Sequence, residues 1–133
     1  MRKNIVAGNW KMNMDLNQSL DLAKNIVAKV ADISDVEVIV APTFPNLYPV
    51  FDIIKNSNVV LSAQNAHFAD SGAFTGEVST EMLESVGVKT VIIGHSERRS
   101  IFKESHELLA KKSSKVVASG MQLMFCFGEV LED

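Results

Sequence analysis

The chain has 133 residues, enough for one domain of ordinary size, and is 47% hydrophobic and 22% charged, which excludes disorder and collagen-like structure. Thirteen basic side chains against sixteen acidic give a net charge of −3, so no domain-wide positive field exists to hold a nucleic acid backbone. The single cysteine, Cys126, has no internal disulfide partner and fits a reducing compartment.

The longest apolar run, Leu123 to Phe127, is far too short to span a membrane. The start, Met1-Arg2-Lys3-Asn4-Ile5, carries basic residues but no apolar stretch of signal-peptide length, and a cytoplasmic location is expected.

Five short strands are predicted, at Ile5–Asn9, Val36–Ala41, Val59–Ala63, Thr90–Gly94 and Gln122–Phe127. Most are continuous runs of Val, Ile or Leu, the pattern of strands covered on both faces in a parallel sheet. Between the first two, Leu16, Leu20, Ala23, Val27 and Val30 recur at spacings of four and three, one stripe of an amphipathic helix. Leu47, Phe51 and Ile54 repeat that period after Pro45. Ser79 caps a third helix running through Met82 and Val86, which Gly87 ends. Ser105 opens another through Leu109, Lys112 and Val116, closed by Gly120. The order is an α/β chain with a parallel sheet. Gln64 to Val78 has no helical or strand period, and a loop so long in a compact domain is usually functional. After the fifth strand no covering helix follows, so the pattern reads as cut off. Five βα units also suit a flavodoxin-like doubly wound domain, but that fold needs a final covering helix.

In parallel α/β sheets ligands bind beyond the carboxyl ends of the strands. Those ends carry Asn9 and Lys11, Gln64 and Asn65, the run Gly94-His95-Ser96-Glu97-Arg98-Arg99, and Cys126 with Glu129. A cation, an imidazole, amides and a carboxylate at one rim suit a small anionic substrate and acid–base chemistry near neutral pH. On its own, His95 serves equally as a strand-end imidazole closing a turn, Lys11 as a surface lysine, Asn9 as a turn residue, and Glu97 as a helix-start carboxylate. Cys126 reads as packing beside the site, since no neighbouring histidine activates it. His67 and His106 read as loop and helix-surface residues, Lys111, Lys112 and Lys115 as a solvated helix face. None of these fits a metal-ligand spacing.

Asn9-Trp10-Lys11, Ala63-Gln64-Asn65, Gly72-Ala73-Phe74-Thr75-Gly76-Glu77, Gly94-His95-Ser96-Glu97-Arg98-Arg99 and Cys126-Phe127-Gly128-Glu129, in that order and spacing, closely resemble the motifs of the triosephosphate isomerase family. The resemblance implies the first half, first to fifth strand, of an eight-stranded (β/α)8 barrel, with residues 1–133 forming an incomplete single domain. It implies interconversion of dihydroxyacetone phosphate and glyceraldehyde 3-phosphate, with no cofactor and no metal. It makes His95 the electrophile, a neutral imidazole at a helix start as known for this family. Lys11 becomes the cation for the substrate anion, Asn9 a neighbour in the substrate site, and Glu97 a group that orients Lys11 and lies close to the reacting carbons, so that His95, Lys11 and Glu97 form the expected catalytic set. Glu129 is left to structural hydrogen bonding. The loop becomes a dimer arm: Thr75 reaches a neighbouring subunit's Asn9 and Lys11 region, and Glu77 pairs with Arg98 across a homodimer interface. The family's general-base glutamate and phosphate-binding loops have no match in this sequence, so inactivity alone is expected, with a complementing C-terminal half as partner. A non-catalytic, self-associating half-barrel is the alternative.

Overall fold

A computed structural model describes residues 2–128. It contains five strands, β1 (Asn4–Asn9), β2 (Val36–Ala41), β3 (Val59–Ala63), β4 (Thr90–Ile93) and β5 (Gln122–Phe125). The helices are α1 (Leu16–Val30), α2 (Leu47–Ile54), α3 (Thr80–Ser85), α4 (Ser96–Ser100) and α5 (His106–Ala118), with a 3₁₀ turn at Phe44–Asn46 leading into α2. The strands form one parallel sheet in the order β1-β2-β3-β4-β5. Their register sets Asn9 beside Ala41, Ala63 beside Val91, and Ile93 beside Phe125. The carboxyl ends of all five strands thus share one rim.

The helix-facing core joins Val40, Leu61, Val91 and Ile93 of the sheet to Ala23 of α1, Val50 and Ile54 of α2, and Leu109 and Val116 of α5. Ile39 and Ile92 are also buried, but outside that cluster, so the central strands are covered on both faces as their continuous apolar runs predict. The outer strands differ. Ile5 and Val6 of β1 and Phe125 of β5 are exposed, because each strand has a sheet neighbour on one side only among the described residues. Two other expectations are corrected. Met82 is exposed and Leu83 is the residue of α3 that enters the core. The strand over Gln122–Phe127 stops at Phe125, and the one ending at Gly94 stops at Ile93. The expected role of Glu129, and whatever follows it, lies outside the described residues.

Caps explain the helix starts. Ser79 accepts from the N–H of Met82, and Ser105 from that of Leu108, each at 3.2 Å. Asp15 and Gln18 form a reciprocal capping box at the head of α1. Gly87 ends α3 at φ +92, where a Cβ would stand 2.3 Å from the Phe51 ring. Only glycine lets the chain turn there against α2.

The segment after β3 is a loop throughout, as expected, but pinched at its base. The N–H of His67 donates to the carbonyl of Val78 at 2.8 Å. Inside that neck the His67 ring packs on Phe68 and Phe74, with centroids 4.3 and 4.4 Å apart. The solvated face expected for the α5 lysines is corrected at Lys112, while Lys111 is exposed as expected. Lys115 pairs with Asp70 of the loop, Lys111 stands 5.4 Å over the Phe68 ring, and Lys112 is buried. The signal for Lys112 was its place between Leu109 and Val116 on the apolar stripe.

Candidate active site

A cleft of about 310 Å³ opens at the carboxyl rim of the sheet. Asn9, Lys11, Gln64, Asn65, His95 and Glu97 line it, so the expected site residues Asn9, Lys11, His95 and Glu97 share one space with the β3-end amides Gln64 and Asn65. Met12, Phe44 and Phe102 give it an apolar border.

Lys11 is set by its backbone. It lies at φ +54, a left-handed conformation uncommon for a side-chain-bearing residue. Two contacts hold it there. Its N–H donates to Asn9 Oδ1 at 3.0 Å, and Gln64 Nε2 donates to its carbonyl at 2.9 Å and to that of Ala41 at 2.8 Å. Gln64 therefore links the ends of three strands, a role that its position in the sequence alone did not reveal. From this bend Lys11 Nζ donates to Glu97 Oε1 at 2.7 Å. That hydrogen bond, with the help of the Lys11 charge, holds the Glu97 carboxyl below its ordinary value against the opposing effect of desolvation.

His95 is the N-cap of α4. Its Nδ1 accepts the N–H of Glu97 at 3.2 Å, so in this geometry Nδ1 carries no proton and Nε2 is the donor. Glu97 Oε2 lies 3.5 Å from the same Nδ1, too far for a hydrogen bond to an atom already acting as acceptor. A cation and a neutral imidazole donor beside one cleft can stabilise negative charge developing on a substrate oxygen.

Behind them sits a buried polar network. Lys112 Nζ pairs with Glu104 Oε2 and donates to Asn65 Oδ1 at 3.0 Å, while Arg98 Nε donates to Glu104 Oε1 at 3.1 Å. Burial pushes the Glu104 carboxyl up, but the hydrogen bond and charge of Lys112, backed by Arg98, outweigh it and leave the group below its ordinary value. Burial raises the Cys126 thiol, opposed by the Arg99 charge, so the unreactive packing role expected for it fits its surroundings.

The three expected interface residues do not meet within the chain. Thr75 and Glu77 are exposed on the loop, Glu77 lying 3.7 Å from His67 Nδ1, whereas Arg98 faces Glu104. Among the described residues no group of His, Cys, Asp and Glu is arranged to hold a metal ion, and no helix is long and apolar enough to cross a membrane.

The family model for triosephosphate isomerase matches residues 4–133. The triosephosphate isomerase of Flavobacterium johnsoniae is 50% identical over 133 residues, all of this chain and 53% of the relative. That of Carboxydothermus hydrogenoformans is 46% identical over the same shares. The crystal structure of triosephosphate isomerase from Bartonella henselae superposes with a TM-score of 0.92 at 37% identity, covering 98% of this chain and 54% of that one. The chain spans about half the length of the curated relatives it matches.

Proposed function

The chain belongs to the triosephosphate isomerase family, and on that premise we propose that residues 1–133 supply the carbonyl-polarising half of an enzyme interconverting dihydroxyacetone phosphate and glyceraldehyde 3-phosphate. The observation that carries this reading is the cluster of Lys11, Glu97 and His95 at one cleft. In the proposed reaction a glutamate from outside residues 1–133 removes a proton from the carbon next to the carbonyl. Electrons move onto the carbonyl oxygen, giving an enediolate; the proton of the neighbouring hydroxyl passes to that oxygen, and the first proton returns at the adjacent carbon. His95 Nε2–H donates to the oxygens as charge develops, Lys11 balances that charge and meets the substrate anion, and Asn9 holds the Lys11 bend. Glu97 fixes the direction of Lys11. The reaction uses no cofactor and no metal.

The proposal includes a cytoplasmic homodimer whose arm, the loop between β3 and α3, docks on a second subunit. Thr75 there approaches Asn9 and Lys11, and Glu77 pairs with Arg98. The exposure of Thr75 and Glu77 supports this reading.

Coupled turnover of glyceraldehyde 3-phosphate tests it. The 133-residue chain alone should give no appreciable rate, and addition in trans of a polypeptide matching the remaining half of the relatives should restore turnover. A rate from the isolated chain typical of a complete isomerase, or no rate from any reconstituted pair, would overturn it.

A further inference from the structure

Arg99 has no role in the chemistry above, yet its guanidinium binds two backbone carbonyls at the rim. Its Nε donates to the carbonyl of Gly94 at 2.7 Å, and one terminal nitrogen donates to the carbonyl of Cys126 at 2.9 Å. The other lies 3.4 Å from His106 Nδ1, and the guanidinium stands 5.5 Å over the Phe125 ring. Its own backbone N–H donates to the carbonyl of His95 at 3.2 Å. One residue therefore grips both carbonyls that flank His95, the one before its nitrogen and the one after its Cα. The Cys126 contact ties that grip to the neighbouring strand end, beyond β5.

Gly94 is shaped for this approach. It sits at φ +84, and a Cβ there would stand 2.8 Å from the Arg99 terminal nitrogen and 2.9 Å from the Cys126 carbonyl. A side chain at position 94 and the guanidinium cannot share the space. A planar fork that bonds two carbonyls at fixed angles also differs from a lysine, which offers one flexible point charge.

We propose that Arg99 is a positioning residue for His95: by holding the Gly94 and Cys126 carbonyls with its side chain and the His95 carbonyl with its backbone, it fixes the turn that keeps the His95 ring on the Glu97 N–H and aimed at the cleft. This rests on the isomerase reading for its kinetic consequence but not for its structural one.

The test has two arms. In the 133-residue chain, imidazole ¹⁵N shifts assigned through His95→Gln report the His95 tautomer. Arg99→Ala should mix the two tautomers, and Arg99→Lys should do so less, while His67 keeps its signals. In the reconstituted isomerase, Arg99→Ala should lower kcat about 10²-fold with KM within about threefold, the scale of an ångström-sized misplacement, and added methylguanidinium should recover part of the loss. A wild-type pair without turnover counts against the isomerase reading and leaves Arg99 to be judged by the tautomer. Unchanged His95 signals in both variants, or a kcat loss that methylguanidinium does not touch, would overturn the proposal. If Arg99→Ala does not fold, Arg99→Lys decides by the same signals.

Discussion

Lys11 and Glu97, eighty-six positions apart, meet with their charged atoms 2.7 Å from each other at the mouth of the sheet. The contact joins a backbone bend after β1 to the first turn of α4. Both side chains are about half exposed, so the pair adds little to stability and acts mainly by fixing direction.

Glu97→Gln keeps the shape of the side chain and removes its charge. Lys11 then loses its strongest partner and samples other rotamers, and kcat/KM in a reconstituted isomerase should fall about 10²-fold with little change in the unfolding midpoint. A comparable fall from His95→Gln should lie mainly in kcat, whereas Lys11→Ala should also raise KM, because Lys11 meets the substrate anion before charge develops. Steady-state kinetics on the three variants separates these outcomes.

The Lys11 contact also fixes a pH dependence. Glu97 is held below its ordinary value in the folded chain, so its contribution to stability is complete above the normal carboxylate range and is lost as pH falls through the folded value. Lys11→Met should move the Glu97 titration back up. Carboxyl ¹³C shifts followed from pH 7 to 2 read the change directly.

Glu104 and Lys112 form the buried counterpart. Glu104→Gln should cost about 3–5 kcal/mol at neutral pH, because the Lys112 ammonium is left buried beside a neutral amide. The wild-type pair loses its contribution as pH falls through the lowered Glu104 value, and the variant has no such loss to show. Replacing both residues, as Glu104→Leu with Lys112→Met, should recover most of the stability. Urea unfolding at intervals from pH 7 down to pH 2 gives all three comparisons.

The exposed flanks of the sheet predict self-association. β1 presents Ile5 and Val6, β5 reads Gln-Leu-Met-Phe without charge or proline, and each has a free edge among the described residues. Sedimentation of the 133-residue chain should show mass rising with concentration, and Val6→Lys or Met124→Lys should suppress the rise. A monomer at every concentration is the contrary result.

The strands were legible because central parallel strands need apolar residues on both faces, and Val38–Ala41 and Val59–Leu61 show such a run, with Glu37 and Ser62 the polar exceptions in their strands. Strand ends were less so: Gly94 and Cys126 continue the apolar pattern, but the backbone leaves the sheet there. The cleft residues Asn9, Lys11, His95 and Glu97 were legible from motif and strand-end position together. The roles of Gln64, Arg99 and Glu104 were not, since a side chain that binds a distant carbonyl leaves no periodic trace. Lys112 misled for a related reason. Three lysines within five positions look solvated, and although the middle one falls on the apolar stripe, the partners Glu104 and Asn65 that satisfy its charge inside come from distant positions.

The hydrogen bond from His67 to Val78 makes the excursion between them a self-contained ring of chain. It holds the end of β3 and the approach to α3 together across the base of residues 69–77. Beyond that neck the excursion touches α5 through Asp70 on Lys115 and Phe68 under Lys111.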